Sequence, residues 1–299
     1  MRGEGPNFDR ALPPLLKAEL APGSEAWLEG IEMASWGAAW AVGEQAHCRV
    51  RAFPAGKLAL FDDDRPTGVS IPIVAYVLQA GDELLAIDSG LSRRWRDAAA
   101  GEVPDAGPAP RMRYRPVLDG PSFAEQLAEE GLRPTRVVCT HLHVDHAGGA
   151  GEFGLPVEAA AEEIAAALSG AADGYPAEDL AGVELRPLLL DRGPVGSFAA
   201  HGRLAPGVLA LATPGHTPGS ISVFACLGAT WVLVCGDAAY PLADAPESPA
   251  YLGMLRIRRM LREVGGTLVL AGHDTSVLRA CADGSWLGVE PVGRGPDHD

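Results

Sequence analysis

The 299-residue chain carries 39 acidic residues against 24 basic ones, a formal net charge of -15, and only Lys17 and Lys57 among the basic residues are lysines. Without a polybasic block, that balance argues against sequence-independent attraction to nucleic-acid phosphates or to an anionic membrane surface. Hydrophobic residues at 47%, with 37 Gly and 25 Pro, describe a turn-rich globular chain rather than a disordered one.

Residues 1–35 show weak helical periodicity, broken at Pro13-Pro14 and Pro22-Gly23, and read as an N-terminal extension packing on the body. From Cys48 to Phe61 and from Ile71 to Ile87 the pattern becomes short apolar strands, with Gly81-Asp82 as a hairpin turn. GEVPDAGPAP at 101–110 is a loop by composition. SFAEQLAEEGL at 122–132 has helical spacing, with Ser122 as N-cap, Glu125 three residues on and Gly131 as the stop.

A strand at 136–140 then runs into the densest polar cluster, HLHVDHAGGAGEFG, after which VEAAAEEIAAALSG predicts a helix ending at Gly170. Strands return around GVELRPLLL, GVLALATP, SISVFACL and WVLVCGDAAY. A helix over YLGMLRIRRMLREVG and a strand TLVLAGHD close the regular part. Strands flank the helices on both sides with no long linker or tandem repeat, which favours one αββα sandwich over two separable domains.

The five cysteines form no CxxC pair, and an odd number cannot be consumed by internal disulfides, so a reducing cytoplasm is expected. No signal-peptide pattern and no apolar run of 18 residues is present, and no membrane association is expected.

Four of the six residues His141-Leu142-His143-Val144-Asp145-His146 are of metal-ligand type, and they follow a strand, where a loop aims several side chains at one point. Gly148 and Gly149 allow a tight backbone path beyond them. His216 lies 70 residues after His146, Asp237 a further 21 and His273 a further 36, each at or just beyond the end of an apolar strand. Imidazole and carboxylate donors suit Zn, Fe, Mn or Co, and two such ions about 3.5–4 Å apart acidify water and polarise a carbonyl or phosphoryl oxygen.

The pattern HxHxDH, followed by an isolated His, an Asp and another His, resembles the metallo-β-lactamase superfamily over roughly residues 45–280. The resemblance implies a four-layered αββα sandwich, with the hydrolase domain over 36–285 and a tail over 286–299. It implies that His141, His143 and His216 hold one divalent transition-metal ion, zinc first among the candidates, that Asp145, His146 and His273 hold a second, and that Asp237 bridges them. Asp88, in LLAIDSG, resembles the family's aspartate that orients a ligand histidine, with a turn cap as its alternative. Thr140 and Thr217 are further hydroxyls beside ligands, whereas Cys139 and Cys235 read as buried packing.

Asp237-Ala238-Ala239-Tyr240 and the AGHD around His273 resemble N-acyl homoserine lactone lactonases. That likeness implies a small-molecule lactone or ester as substrate, Tyr240 and a metal at the developing oxyanion, and Asp145 as proton relay to the leaving alkoxide. Met33, Trp36, Phe53, Phe61 and Met112 are candidate walls for an acyl chain, and Arg111, Arg113 and Arg115 around Tyr114 a candidate rim. The alternatives are a glyoxalase II-like thioesterase, disfavoured by the lack of a basic C-terminal extension, and a metal-binding scaffold with little turnover. Phosphodiester hydrolysis is disfavoured by the charge, and a homodimer is expected from the resemblance alone.

Overall fold

The computed structural model describes residues 23–37, 48–62, 65–97, 112–170, 174–228, 230–239 and 248–288. Two sheets face one another. The first runs in the order β13 (Leu287–Gly288), β1 (Cys48–Asp62), β2 (Arg65–Ala80), β3 (Glu83–Ile87), β5 (Arg136–Val138), β6 (Val157–Ala160) and β7 (Leu185–Leu188), with β4 (Met112–Val117) also pairing β1. The second runs β12 (Thr267–Ala271), β11 (Trp231–Gly236), β10 (Ile221–Cys226), β9 (Val208–Ala212) and β8 (His201–Ala205).

The apolar runs are continuous because both faces of these strands are covered. On β2, Val74, Tyr76 and Leu78 point into the core between the sheets, while Ile73, Ala75 and Val77 point into an outer core. On β11 and β12, Val232, Val234, Leu268 and Leu270 face the inter-sheet core, and Leu233, Cys235, Val269 and Ala271 face the other side.

Helices close both outer faces. Helices α1 (Ser24–Gly30) and α6 (Pro249–Glu263) cover the second sheet through Leu28, Met254, Leu255, Ile257 and Met260. Helix α2 (Arg94–Asp97) lies on the side of the first sheet, followed by α3 (Phe123–Glu129), α4 (Val144–Ala147) and α5 (Ala161–Ser169), which cover that sheet through Phe123, Leu127, Ala147 and Ile164. Helix α7 (Ser276–Ala280) follows β12. The result is the expected αββα sandwich. No helix among the described residues is long and apolar enough to cross a membrane.

Helix α3 begins as its sequence predicts: Ser122 Oγ accepts from Glu125 N, and the Glu125 carboxylate accepts from Ser122 N. Helix α6 is capped by Ser248, with Pro249 in its first turn. The predicted helix over 157–170 is corrected at its start. Val157–Ala160 is a strand, parallel to both β5 and β7, with Val157, Ala159 and Ala160 buried, and the helix begins only at Ala161. A slot between two parallel strands outweighs the helix propensity of alanine there. The candidate rim segment forms a strand: Met112–Val117 pairs antiparallel with the outer half of β1.

Ser24 Oγ lies 2.9 Å from the Tyr251 hydroxyl, and Arg262 pairs with Glu25 and Glu29, which docks α1 on α6. Residues 1–22, the loop at 101–110, and the tail beyond Gly288 lie outside the described residues, whereas Leu287 and Gly288 pair with β1.

Candidate metal centre

At one end of the sandwich, the strand ends of both sheets deliver their polar residues to a common point. β5 leads into Thr140 and the histidine segment, β11 into Asp237, β12 into His273, and the turn after β9 carries His216. Leu142 is fully buried in the outer core, anchoring the loop while its neighbours His141 and His143 turn the other way. Burial of such a side chain contributes about 1.5–3 kcal/mol. Helix α4 then brings Asp145 and His146 in, both buried.

All seven sequence-predicted ligands come together, in two groups. His141, His143 and His216 present ligand atoms within 4.8 Å of one another, and so do Asp145, His146, Asp237 and His273. His216 Nε2 lies 3.1 Å from His143 Nδ1. Asp237 stands between the groups: its Oδ1 is 3.3 Å from His146 Nε2, and its Oδ2 is 3.3 Å from His273 Nε2 and 3.5 Å from His216 Nε2. Asp145 Oδ2 is 3.4 Å from His273 Nε2.

The outward ring nitrogens of His141, His146 and His273 are held by the protein, so their inward ones are aimed. His146 Nδ1 is 2.8 Å from Asp88 Oδ2, and His273 Nδ1 donates to the Pro72 carbonyl at 2.7 Å. Thr140 Oγ1 is 3.2 Å from His141 Nδ1. Asp88, 1% exposed and at φ 59°, also accepts from Thr140 N at 2.7 Å and from its hydroxyl, so it serves both as orienting carboxylate and as turn anchor. Gly272 is required by contact: a Cβ there would lie 2.5 Å from His146 Cε1 and 2.9 Å from Asp237 Oδ1.

The cluster fits two cations. His141 Nε2, His146 Nε2 and Asp237 Oδ1 are buried and make no hydrogen bond, an arrangement that costs free energy unless another partner takes these atoms. Burial, with the neighbouring imidazoles, holds His141 well below the ordinary imidazole range, and burial likewise lowers His143 and His216, leaving three neutral nitrogen donors. The other half calls for positive charge. Burial opposes protonation of His146 and His273, yet Asp237 and Asp145, with Asp88 for His146, raise both, His273 to about 9. Asp237 is held well below the usual carboxylate range by His273 and His146 despite its burial. Nitrogen and oxygen donors without thiolate are the set for a dinuclear divalent transition-metal centre.

Two residues near the centre carry no sequence signal. Glu163 of α5, one of two adjacent glutamates in an alanine-rich helix, is fully buried and accepts from Leu142 N, Thr217 Oγ1 and Gly219 N. Thr217 therefore reaches Glu163 rather than a ligand ring. Tyr175 packs edge-on against His143 with ring centroids 5.0 Å apart, and burial together with the facing Glu163 carboxylate raises its phenol above the ordinary value.

Among the remaining candidates, Tyr240, Arg111 and His47 lie outside the described residues, as does His298. Phe53 is buried against Phe123 in the outer core, away from any open trough, and Trp36 is partly buried and packs on Phe224. Cys139 and Cys235 are buried and free, and His201 Nδ1 lies 2.9 Å from the Gly193 carbonyl.

Comparison with known proteins places this geometry. A probable metallo-hydrolase of Mycobacterium tuberculosis is 29% identical over 195 residues, 58% of each chain, so the present chain spans little more than half of that relative. An N-acyl homoserine lactonase of Bacillus thuringiensis is 25% identical over 228 residues, covering 71% of this chain and 85% of the lactonase. The structure of an N-acyl homoserine lactone hydrolase with N-hexanoyl-L-homoserine bound at its catalytic metal centre superposes with a TM-score of 0.62 at 21% identity, over 80% of this chain and 97% of the other, a likeness of fold. The profile of the metallo-beta-lactamase superfamily matches residues 71–283, a span that takes in all seven clustered residues together with Asp88 and Glu163. The chain belongs to that superfamily.

Proposed function

We propose that the protein is a lactonase that hydrolytically opens N-acyl homoserine lactones or related lactones, with zinc as the first candidate metal and iron, manganese or cobalt as the others. The observation that carries this reading is the convergence of seven ligand-type side chains around Asp237, whose two oxygens reach both groups. His141, His143 and His216 would hold one ion, Asp145, His146 and His273 the other, with Asp237 bridging. When bound, such ions supply Lewis-acid polarisation of the ester carbonyl and make water acidic near neutral pH.

The chain's own residues supply the rest. Asp145 relays a proton to the leaving alkoxide as the ring opens. The Tyr240 hydroxyl, three residues beyond Asp237, donates to the developing oxyanion. The lactone class is supported by the likeness to the B. thuringiensis lactonase and by the homoserine product at the metal centre of the structural neighbour. Opening such lactones would make the protein a quorum-quenching enzyme. A cytoplasmic location, in keeping with five free cysteines, a homodimer and the lack of a nucleic-acid partner belong to the same proposal.

A substrate panel with matched metal loading tests it. Protein loaded in turn with Zn, Mn, Fe and Co is offered short- and long-chain acyl homoserine lactones, a glutathione thioester and a phosphodiester, and products are identified by mass. Ring-opened acids are expected. Lack of lactone turnover in all four metal forms refutes the lactonase reading, and thioester turnover alone replaces it with a glyoxalase II-like one.

A further inference from the structure

We infer that Glu163 is the positioning residue of the three-histidine half of the centre, fixing His141 and His143 against His216 and thereby that half's affinity for its metal. The inference rests on the metal-ligand assignment above and goes beyond it.

The Glu163 carboxylate hydrogen-bonds the backbone of both histidine-bearing loops. Oε1 accepts from Leu142 N at 2.9 Å, and Leu142 is the residue between His141 and His143. Oε2 accepts from Thr217 Oγ1 at 2.6 Å and from Gly219 N at 3.1 Å, on the loop whose preceding residue is His216. That loop is itself closed, since Ser220 Oγ accepts from Thr217 N at 3.1 Å and lies 2.7 Å from Thr217 Oγ1. It also lies directly on α5: a Cβ at Gly219 would sit 2.2 Å from Glu163 N. The product of the two arms is the 3.1 Å approach of His216 Nε2 to His143 Nδ1.

Chemistry selects a carboxylate here. Three donors converge on one group, and an ionised carboxylate is the side chain that accepts on both oxygens and donates on neither. Glu163 is 0% exposed and makes no ion pair among the described residues. A buried acidic side chain without a cation is costly to keep unless its hydrogen bonds are needed.

The two carboxylates hold different groups. Asp88 holds Thr140 and His146, while Glu163 holds Leu142 and the turn after His216. Among the described residues Glu163 makes no hydrogen bond to Asp145, His146, Asp237 or His273. Glu163→Gln keeps the volume but turns an NH2 group toward donors, leaving at least one of the three without an acceptor. Its effect should therefore fall on one metal.

The test uses the full chain loaded with Co(II), with metal per chain and the Co(II) absorption band followed during chelator competition. Wild type is expected to hold two ions. In E163Q one ion should leave about 10- to 100-fold more readily, the range for losing a partner that orients ligands, with the other unchanged. Single-site backgrounds assign the effect: E163Q should weaken the remaining ion in His273→Ala and leave it unaltered in His216→Ala. T217V, which removes one arm, should shift the same ion by less, and it carries the test should E163Q fail to fold. Equal weakening of both ions, or none, overturns the inference and reduces Glu163 to a packing role. A wild type that holds fewer than two ions overturns the metal assignment instead.

Discussion

Asp88→Asn separates the orienting role of this aspartate from its role in the turn. Asp88 sits at φ 59°, a left-handed conformation that asparagine tolerates, so the substitution adds no backbone strain. Its Oδ1 accepts from Thr140 N at 2.7 Å and its Oδ2 faces His146 Nδ1 at 2.8 Å. If the amide oxygen keeps Thr140, the NH2 donates to His146 Nδ1 and the ring proton moves to Nε2, the atom aimed at Asp237 and Asp145. That tautomer has no lone pair for a metal. If the amide flips, its NH2 opposes the buried Thr140 N–H, which costs about 1–3 kcal/mol. Either branch is expected to weaken the adjacent ion about 10- to 100-fold, equivalent to roughly 1.4–2.7 kcal/mol. Chelator competition with metal counted by mass spectrometry reads the affinity, and a thermal melt checks that the fold persists. Wild-type retention of both ions in a folded D88N protein would refute the tautomer reasoning.

Asp237→Ala is expected to abolish lactone hydrolysis and to deplete both ions, and near-normal kcat in that variant would remove Asp237 from its bridging role. Gly272→Ala, whose Cβ would lie 2.5 Å from His146 Cε1, should lose metal while the protein stays folded; an unchanged metal content would show that the contact relaxes freely. For Tyr240→Phe the expected result is impaired turnover, about 10- to 1,000-fold in kcat for loss of one oxyanion donor, with two ions retained. Unaltered kinetics would leave Tyr240 a packing residue.

The cluster of ligand-type side chains was legible because histidine and aspartate at the tips of apolar strands have few other reasons to be there. His216, Asp237 and His273 each follow a run that is buried on both faces, and such runs are readable from composition alone. Val157–Ala160 was not legible, since alanine favours a helix and only the neighbouring strands β5 and β7 make the segment extended. β4 was hidden for a similar reason: nothing in its arginine-rich sequence marks it as a strand until the outer half of β1 is there to pair with it. Phe53 looked available for substrate because its burial depends on Phe123, 70 residues later. Glu163 was the least legible, because its partners Thr217 and Gly219 lie 54 and 56 residues away and nothing local separates it from the exposed Glu162.

The spacing between the two ligand groups is set by sheet-to-sheet bonds rather than by the loops that carry the ligands. The Tyr76 hydroxyl donates to the Ala271 carbonyl at 2.7 Å, Val74 N to Gly272 O at 2.9 Å, and Ile221 N to Thr140 O at 2.8 Å. Each of these joins one sheet to the other within a residue or two of a ligand or of a ligand's partner. Pro72, whose carbonyl holds His273, belongs to β2 in the first sheet, while His273 itself follows β12 in the second. A relative shift of the sheets would therefore move Asp237 and His273 together against the histidine segment. Groups placed by packed strands stay within the narrow tolerance that catalysis demands. The same construction leaves Glu163 to adjust orientation on the three-histidine half, and Asp88 to adjust His146 and, through Thr140, His141, without altering the distance between the halves.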